Sequence, residues 1–169
     1  LFLTAGWKEY ILFLSGLEAI MVGAGLLCKV PLFADISSAG IQELSGALQE
    51  RHYRKNEFVF YQGDGGSSLF IINSGLVKIA VTSTEGKEKT LALLSSGDFF
   101  GELSLIDGEP RSANAVTTAA SQLYILGREQ FLSFLKSHPD ASLKILAALS
   151  CRLRRTDELV QDVSFLDVP

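Results

Sequence analysis

Residues 99–117 read FFGELSLIDGEPRSANAVT and hold the side chains best suited to chemistry at close spacing. Gly101 has no Cβ, so the backbone there can approach a ligand closely. Glu102, Leu103, Ser104 and Leu105 have the makings of one helical turn whose free N–H groups face Gly101, an arrangement that attracts an anion. Arg111 follows a Gly-Glu-Pro turn and leads into a strand, and a fixed guanidinium grips phosphate oxygens through charge-assisted hydrogen bonds. Ser112 adds a hydroxyl, and the amides of Ser112 and Ala113 add donors. Glu102 can accept hydrogen bonds from a sugar hydroxyl, as acidic residues do with ribose elsewhere. The set fits one negative charge attached to a ribose. A plainer reading is a surface ion pair between Glu102 and Arg111 beside a turn, and spacing alone leaves both open.

These residues must be held by strands. Phe58-Val59-Phe60-Tyr61, Ser68 to Ile72, Leu76 to Val81, Thr90 to Leu94, Ala113 to Val116 and Gln122 to Leu126 read as short strands, with a roll starting near Lys55. Turn signals separate them at Gln62 to Gly66, Asn73-Ser74-Gly75, Glu85-Gly86-Lys87 and Ser95 to Asp98. Many short strands without strand–helix–strand alternation predict an antiparallel sandwich or barrel and argue against a parallel nucleotide-binding sheet. Before them, residues 36–48 have a helical pattern, with Ser37 or Ser38 as N-cap and Ile41, Leu44 and Leu48 on one face. After them, Arg128 to Lys136 predicts a short helix stopped by His138-Pro139, and Asp140 caps a long one. Leu146, Leu149, Leu153, Thr156, Val160 and Val163 then step as a coiled-coil seam with charged flanks, which predicts a homodimer through residues 146–163. The alternative is packing on the chain's own core. Thr156 is the polar member of the seam, so it sets register or touches something polar.

The chain has 169 residues with 47% hydrophobic and 20% charged, which excludes disordered, collagenous and low-complexity classes. A net charge of -4 argues against a DNA- or RNA-binding surface on this piece. Two cysteines give no disulfide framework, structural zinc site or iron–sulfur cluster, so no metal is expected and a reducing, cytoplasmic setting is the default. Cys28, His52 and His138 are too scattered to predict haem ligation. No GxSxG, HExxH or GxxxxGK[ST] occurs, so no catalytic residue is expected and the chain is read as a non-enzyme. Residues 10–28 are hydrophobic and near the length of a bilayer span, but Glu18, Gly16, Gly23 and Gly25 favour a packed helix over a membrane segment. The start at Leu1 reads as that of a fragment.

Phe100, Gly101, Glu102, Leu103, Ser104, Leu105, then Arg111, Ser112 and Ala113, resemble the phosphate-binding cassette of the cyclic nucleotide-binding domain superfamily, F-G-E-[LI]-[AS]-L followed by R-[ST]-A. Gly63, Gly75 and Gly97 fall where that family's β-roll has turn glycines, and the resemblance runs from about Leu32 to the C-terminus. It implies a mainly β, α+β fold: an antiparallel β-roll or jelly roll with flanking helices, followed by a long C-terminal dimerisation helix. The resemblance leaves Leu1 to roughly Leu27 unexplained, so the expected organisation joins the hydrophobic helical segment read over 1–30 to a β-roll over 31–139 and a dimerisation helix with the start of a hinge over 140–169.

The tail, Arg152-Leu153-Arg154-Arg155-Thr156 and Phe165-Leu166-Asp167-Val168-Pro169, resembles the dimer helix and hinge of bacterial cyclic-AMP receptor protein type transcription regulators. That resemblance implies cAMP, or a related nucleotide such as cGMP, as allosteric ligand. It implies binding through Gly101, Glu102, Leu103, Ser104, Arg111, Ser112 and Ala113, with the adenine meeting Arg152 and Thr156. DNA would be reached only through a helix-turn-helix domain beyond Pro169. The next family position, often a small hydroxyl, is Asp157 here, a departure that bears on base selectivity. The other class that fits is the cyclic nucleotide module of an ion channel, a kinase or a stand-alone sensor.

Overall fold

The computed structural model describes residues 25, 27, 30, 33 and 36–166. The expectations for residues 1–24 lie outside the described residues, and for Arg152 and residues 155–166 only the helical backbone is described.

Helix α1 (Ser38–Ala47) begins where Ser37 accepts a hydrogen bond from the Gly40 amide at 3.3 Å, so Ser37 is the N-cap. Eight strands follow: β1 (Gln49–Tyr53), β2 (Phe58–Phe60), β3 (Ser68–Ser74), β4 (Val77–Thr82), β5 (Glu88–Leu94), β6 (Phe99–Phe100), β7 (Asn114–Thr117) and β8 (Ser121–Gly127). Helix α2 (Glu102–Asp107) interrupts them between β6 and β7, and α3 (Arg128–Ser137) and α4 (Pro139–Leu166) close the chain. The strands form two four-stranded antiparallel sheets, β1-β8-β3-β6 and β2-β7-β4-β5, with flanking helices, the expected fold class.

Period-two alternation places two cores on the two faces of one sheet. In β3, Leu69 and Ile71 face the helices while Phe70 and Ile72 face the roll interior. Strand β8 repeats this with Tyr124 and Leu126 outward and Leu123 inward, and pairing puts Ile71 opposite Tyr124 and Ile72 opposite Leu123. Both faces of β3 are covered, which is why its sequence, LFII, is an unbroken apolar run. Ile41, Leu44, Phe131, Phe134, Ala141 and Ile145 supply the helical side of the outer core.

Two boundaries and one strand differ from expectation, the strand being β6, whose two residues are too few to leave an alternation. The strand system opens at Gln49, earlier than Lys55, because β1 is an edge strand with four exposed residues and only Tyr53 buried, so it carries no alternation to read. The long helix starts at Pro139 itself, and Asp140 sits in its first turn as a favourable charge at the helix start. Among the described residues no helix is long and apolar enough to cross a membrane.

Thr117 ties the β1–β2 turn to β7. Fully buried, it donates its hydroxyl to the Arg54 carbonyl at 2.5 Å and accepts the Glu57 amide at 3.1 Å. Thr117→Val keeps the shape and strands both backbone partners, so urea unfolding should show a loss of about 1–3 kcal/mol. An unchanged midpoint would place the turn's stability elsewhere.

Candidate functional site

Strand β6 lies antiparallel to β3, with Phe100 opposite Phe70 and both its residues buried. The chain then turns at Gly101, whose φ of 81° is the left-handed region that glycine enters freely, and runs directly into α2. A second left-handed glycine, Gly108, ends α2 and donates its amide to the Ser104 carbonyl at 3.2 Å. Leu105, fully buried in the outer core, pins the helix down. Glu102 and Ser104 are buried on the same short helix, while Leu103 and Ile106 are exposed.

The loop after α2 brings Arg111 back over Gly101. Its amide donates to the Asp64 carbonyl at 2.8 Å and its carbonyl accepts the Gly63 amide at 2.9 Å, so the β2–β3 loop clasps its backbone. The guanidinium reaches inward. Nη1 donates to the Gly101 carbonyl at 2.7 Å and Nη2 to the Ser68 carbonyl at 2.8 Å. Its Cζ lies over the Phe60 ring at 4.3 Å from the ring centre and over that of Phe70 at 5.6 Å. Nε is buried with no hydrogen-bond partner. Burial pushes the Arg111 pKa below its ordinary value, and the nearby Glu102 and Asp64 carboxylates oppose that shift.

The surface ion-pair reading does not hold. Glu102 is 3% exposed and Arg111 5%, so neither charge is a solvated surface group. A buried cation with a spare N–H donor is the kind of group that takes up an anion. Arg111 touches Gly101, and Ser104 and Arg111 both crowd Gly66; Glu102 and Ala113 are buried, whereas Leu103 and Ser112 are exposed. The side chains of Arg152 and Thr156 lie outside the described residues. Of the seam, Leu146 and Leu153 are 60% and 62% exposed and Leu149 packs on the chain's own core, while the side chains of Thr156, Val160 and Val163 lie outside the described residues.

Four neighbours of Arg111 carried no signal as site residues: Phe60, Ser68, Phe70 and Gly66. Ser68 acts through its carbonyl, which no side-chain pattern reports. Gly66 reads in sequence only as part of a turn, yet a Cβ there would lie 2.2 Å from Ser104 Cβ and 3.1 Å from Arg111 Cζ. Among the described residues no group of three His, Cys, Asp or Glu side chains is placed to hold a metal ion.

Residues 50–138 match the family described as cyclic nucleotide-binding domain. Over 144 residues the chain is 33% identical to a CRP-like cAMP-activated global transcriptional regulator of Mycobacterium tuberculosis, covering 85% of this chain and 64% of that protein. The chain thus spans less than two thirds of that relative's length. The crystal structure of Thermus thermophilus catabolite activator protein superposes with a TM-score of 0.72 at 38% identity, covering 80% of this chain and 63% of that one. A cGMP-dependent protein kinase of Drosophila melanogaster, isozyme 2, is 26% identical over 163 residues, covering 89% of this chain and 18% of that protein.

Proposed function

The chain belongs to the cyclic nucleotide-binding domain family, and from that premise we propose that it is the sensor part of a cAMP-responsive transcription regulator. The observation that carries the reading is the buried Arg111 guanidinium, oriented by two backbone carbonyls and keeping an unpartnered Nε. In this reading Arg111 takes the cyclic phosphate, helped by the Ser112 hydroxyl and the Ser112 and Ala113 amides, and Glu102 takes the ribose hydroxyl. Gly101, Leu103 and Ser104 form the wall of the cradle. The purine meets Arg152 and Thr156 from the long helix.

Two copies pair through residues 146–163, a reading supported by the exposed Leu146 and Leu153 on α4. The organisation proposed is the roll over 31–139 with the dimerisation helix and hinge over 140–169, preceded by a helical segment over 1–30. Nucleotide binding biases one helix arrangement over another and re-aims a helix-turn-helix domain of the full protein, a coupling that needs only about 1–3 kcal/mol. A net charge of -4 on this chain is in keeping with DNA being read by that other domain. The hinge-like Phe165-Leu166-Asp167-Val168-Pro169 favours this over a kinase or channel module.

Calorimetric titration of the chain and of Thr156→Val with cAMP and with cGMP tests the proposal. The expected result is saturable binding with cAMP preferred, and a smaller preference in the variant because the proposed base contact is gone. No heat with either nucleotide sinks the reading, and a preference for cGMP moves it to the kinase-like class. Equal selectivity in the two proteins removes Thr156 from the site and leaves it as a register residue.

A further inference from the structure

Phe60 stands on β2, where strict alternation would turn it away from its neighbour Val59. Instead both pack against the inner core. The pairing of β2 with β7 shifts between Phe58, opposite Val116, and Phe60, opposite Ala115, so two steps on β2 match one on β7. Such a bulge re-aims a side chain, and here it swings the Phe60 ring inward beneath Arg111.

The ring is itself held firmly. Phe70 and Phe100 stack on each other at 5.2 Å and 13°, and Phe60 leans on them at 5.6 Å and 5.8 Å. The guanidinium is thus held by two carbonyls through Nη1 and Nη2, and its Cζ lies over the Phe60 ring at 4.3 Å from the ring centre. A face contact consumes no N–H. When an anion arrives it competes with the carbonyls for the edge donors, while the ring keeps its grip on the plane. In this desolvated position the attraction of a cation to the ring face is at its strongest.

We propose that Phe60 is a positioning residue for Arg111, its π face fixing the guanidinium plane in which the phosphate of a cyclic nucleotide is met. The inference rests on the cyclic nucleotide reading above. Without the ring's attraction the long arginine side chain can relax outward in the ligand-free protein but has to be re-ordered when ligand binds. The cost therefore falls on affinity.

The test replaces Phe60 with phenylalanines bearing one, two and three fluorines, which drain the ring's π density at nearly constant shape, alongside Phe60→Leu and Phe60→Trp. Affinity for cAMP is measured by calorimetry, and each ligand-free protein is checked by urea unfolding. The expected result is a stepwise fall in affinity with fluorination, about three- to thirtyfold across the series, with a comparable loss in Phe60→Leu and retention in Phe60→Trp. The fluorinated proteins should stay folded, with a smaller change in unfolding free energy than in binding free energy. Affinity that stays within about twofold across the fluorinated series overturns the proposal, whatever Phe60→Leu does, because the ring then only fills space. A wild-type protein that binds neither cAMP nor cGMP overturns the cyclic nucleotide reading and this inference with it, and is distinguished by the first titration.

Discussion

Arg111→Ala is expected to weaken cAMP binding by about tenfold to several hundredfold while the domain stays folded. The magnitude follows from the surroundings. A cyclic phosphate carries one negative charge, and Arg111 is the cation inside the segment that would receive it. Charge-assisted hydrogen bonds are worth roughly 1.5–3 kcal/mol each, and a buried anion deprived of its partner costs more. Stability should respond far less, because opposing effects meet there. The substitution removes a buried charge and an unpartnered Nε, both unfavourable to the ligand-free fold. It also removes the donors to the Gly101 and Ser68 carbonyls and the contact with Phe60, which are favourable. Calorimetry with cAMP and urea unfolding of the same preparation check both halves. Unchanged affinity would mean that the phosphate sits elsewhere. A collapse of stability with affinity scaling alongside it would make Arg111 a structural residue.

What could be read in the sequence divides along physical lines. The close approach at Gly101, the helical turn after it and the return at Arg111 were legible because each leaves a residue type in the sequence: a glycine, the tetrad Glu102 to Leu105, and a Gly-Glu-Pro turn leading into a strand; the left-handed conformation of Gly101 was not legible. Strands β3 and β8 were legible because two covered faces leave a dense apolar pattern. Strand β1 was not, since an edge strand with Gln49, Glu50, Arg51 and His52 exposed advertises nothing. Phe60 was invisible for a different reason. Its inward direction depends on a bulge, and a bulge is a mismatch between two strands that neither strand records alone. The Gly101 and Ser68 carbonyls that hold Arg111 are backbone atoms, present at every residue and distinguished only by the fold. Leu149 illustrates a third limit: a seam at coiled-coil spacing cannot say which of its members the chain's own core will claim.

Gly101→Ala should damage both stability and binding, and a second glycine separates the causes. At φ 81° any side chain is strained, by roughly 1–2 kcal/mol. The added Cβ would also lie 2.6 Å from Arg111 Nη1, 3.1 Å from the Ser68 carbonyl oxygen and 3.3 Å from Phe70 Cδ2. The arginine tip can move, but it is the group held for the ligand. The Ser68 carbonyl belongs to a paired strand and cannot yield easily. Destabilisation should therefore reach about 2–4 kcal/mol, and the displaced guanidinium should cost cAMP affinity about tenfold or more. Gly86, in the β4–β5 turn, has nearly the same φ of 79°, and a Cβ there meets nothing within 4 Å. Gly86→Ala carries the backbone strain without the collision, so it should lose about 1–2 kcal/mol and bind cAMP as the wild type does. Urea unfolding and calorimetric titration of the two variants give the comparison. If Gly101→Ala costs no more than Gly86→Ala in unfolding and leaves affinity intact, the close approach of Gly101 to Arg111 has no part in binding, and the backbone conformation alone explains the glycine.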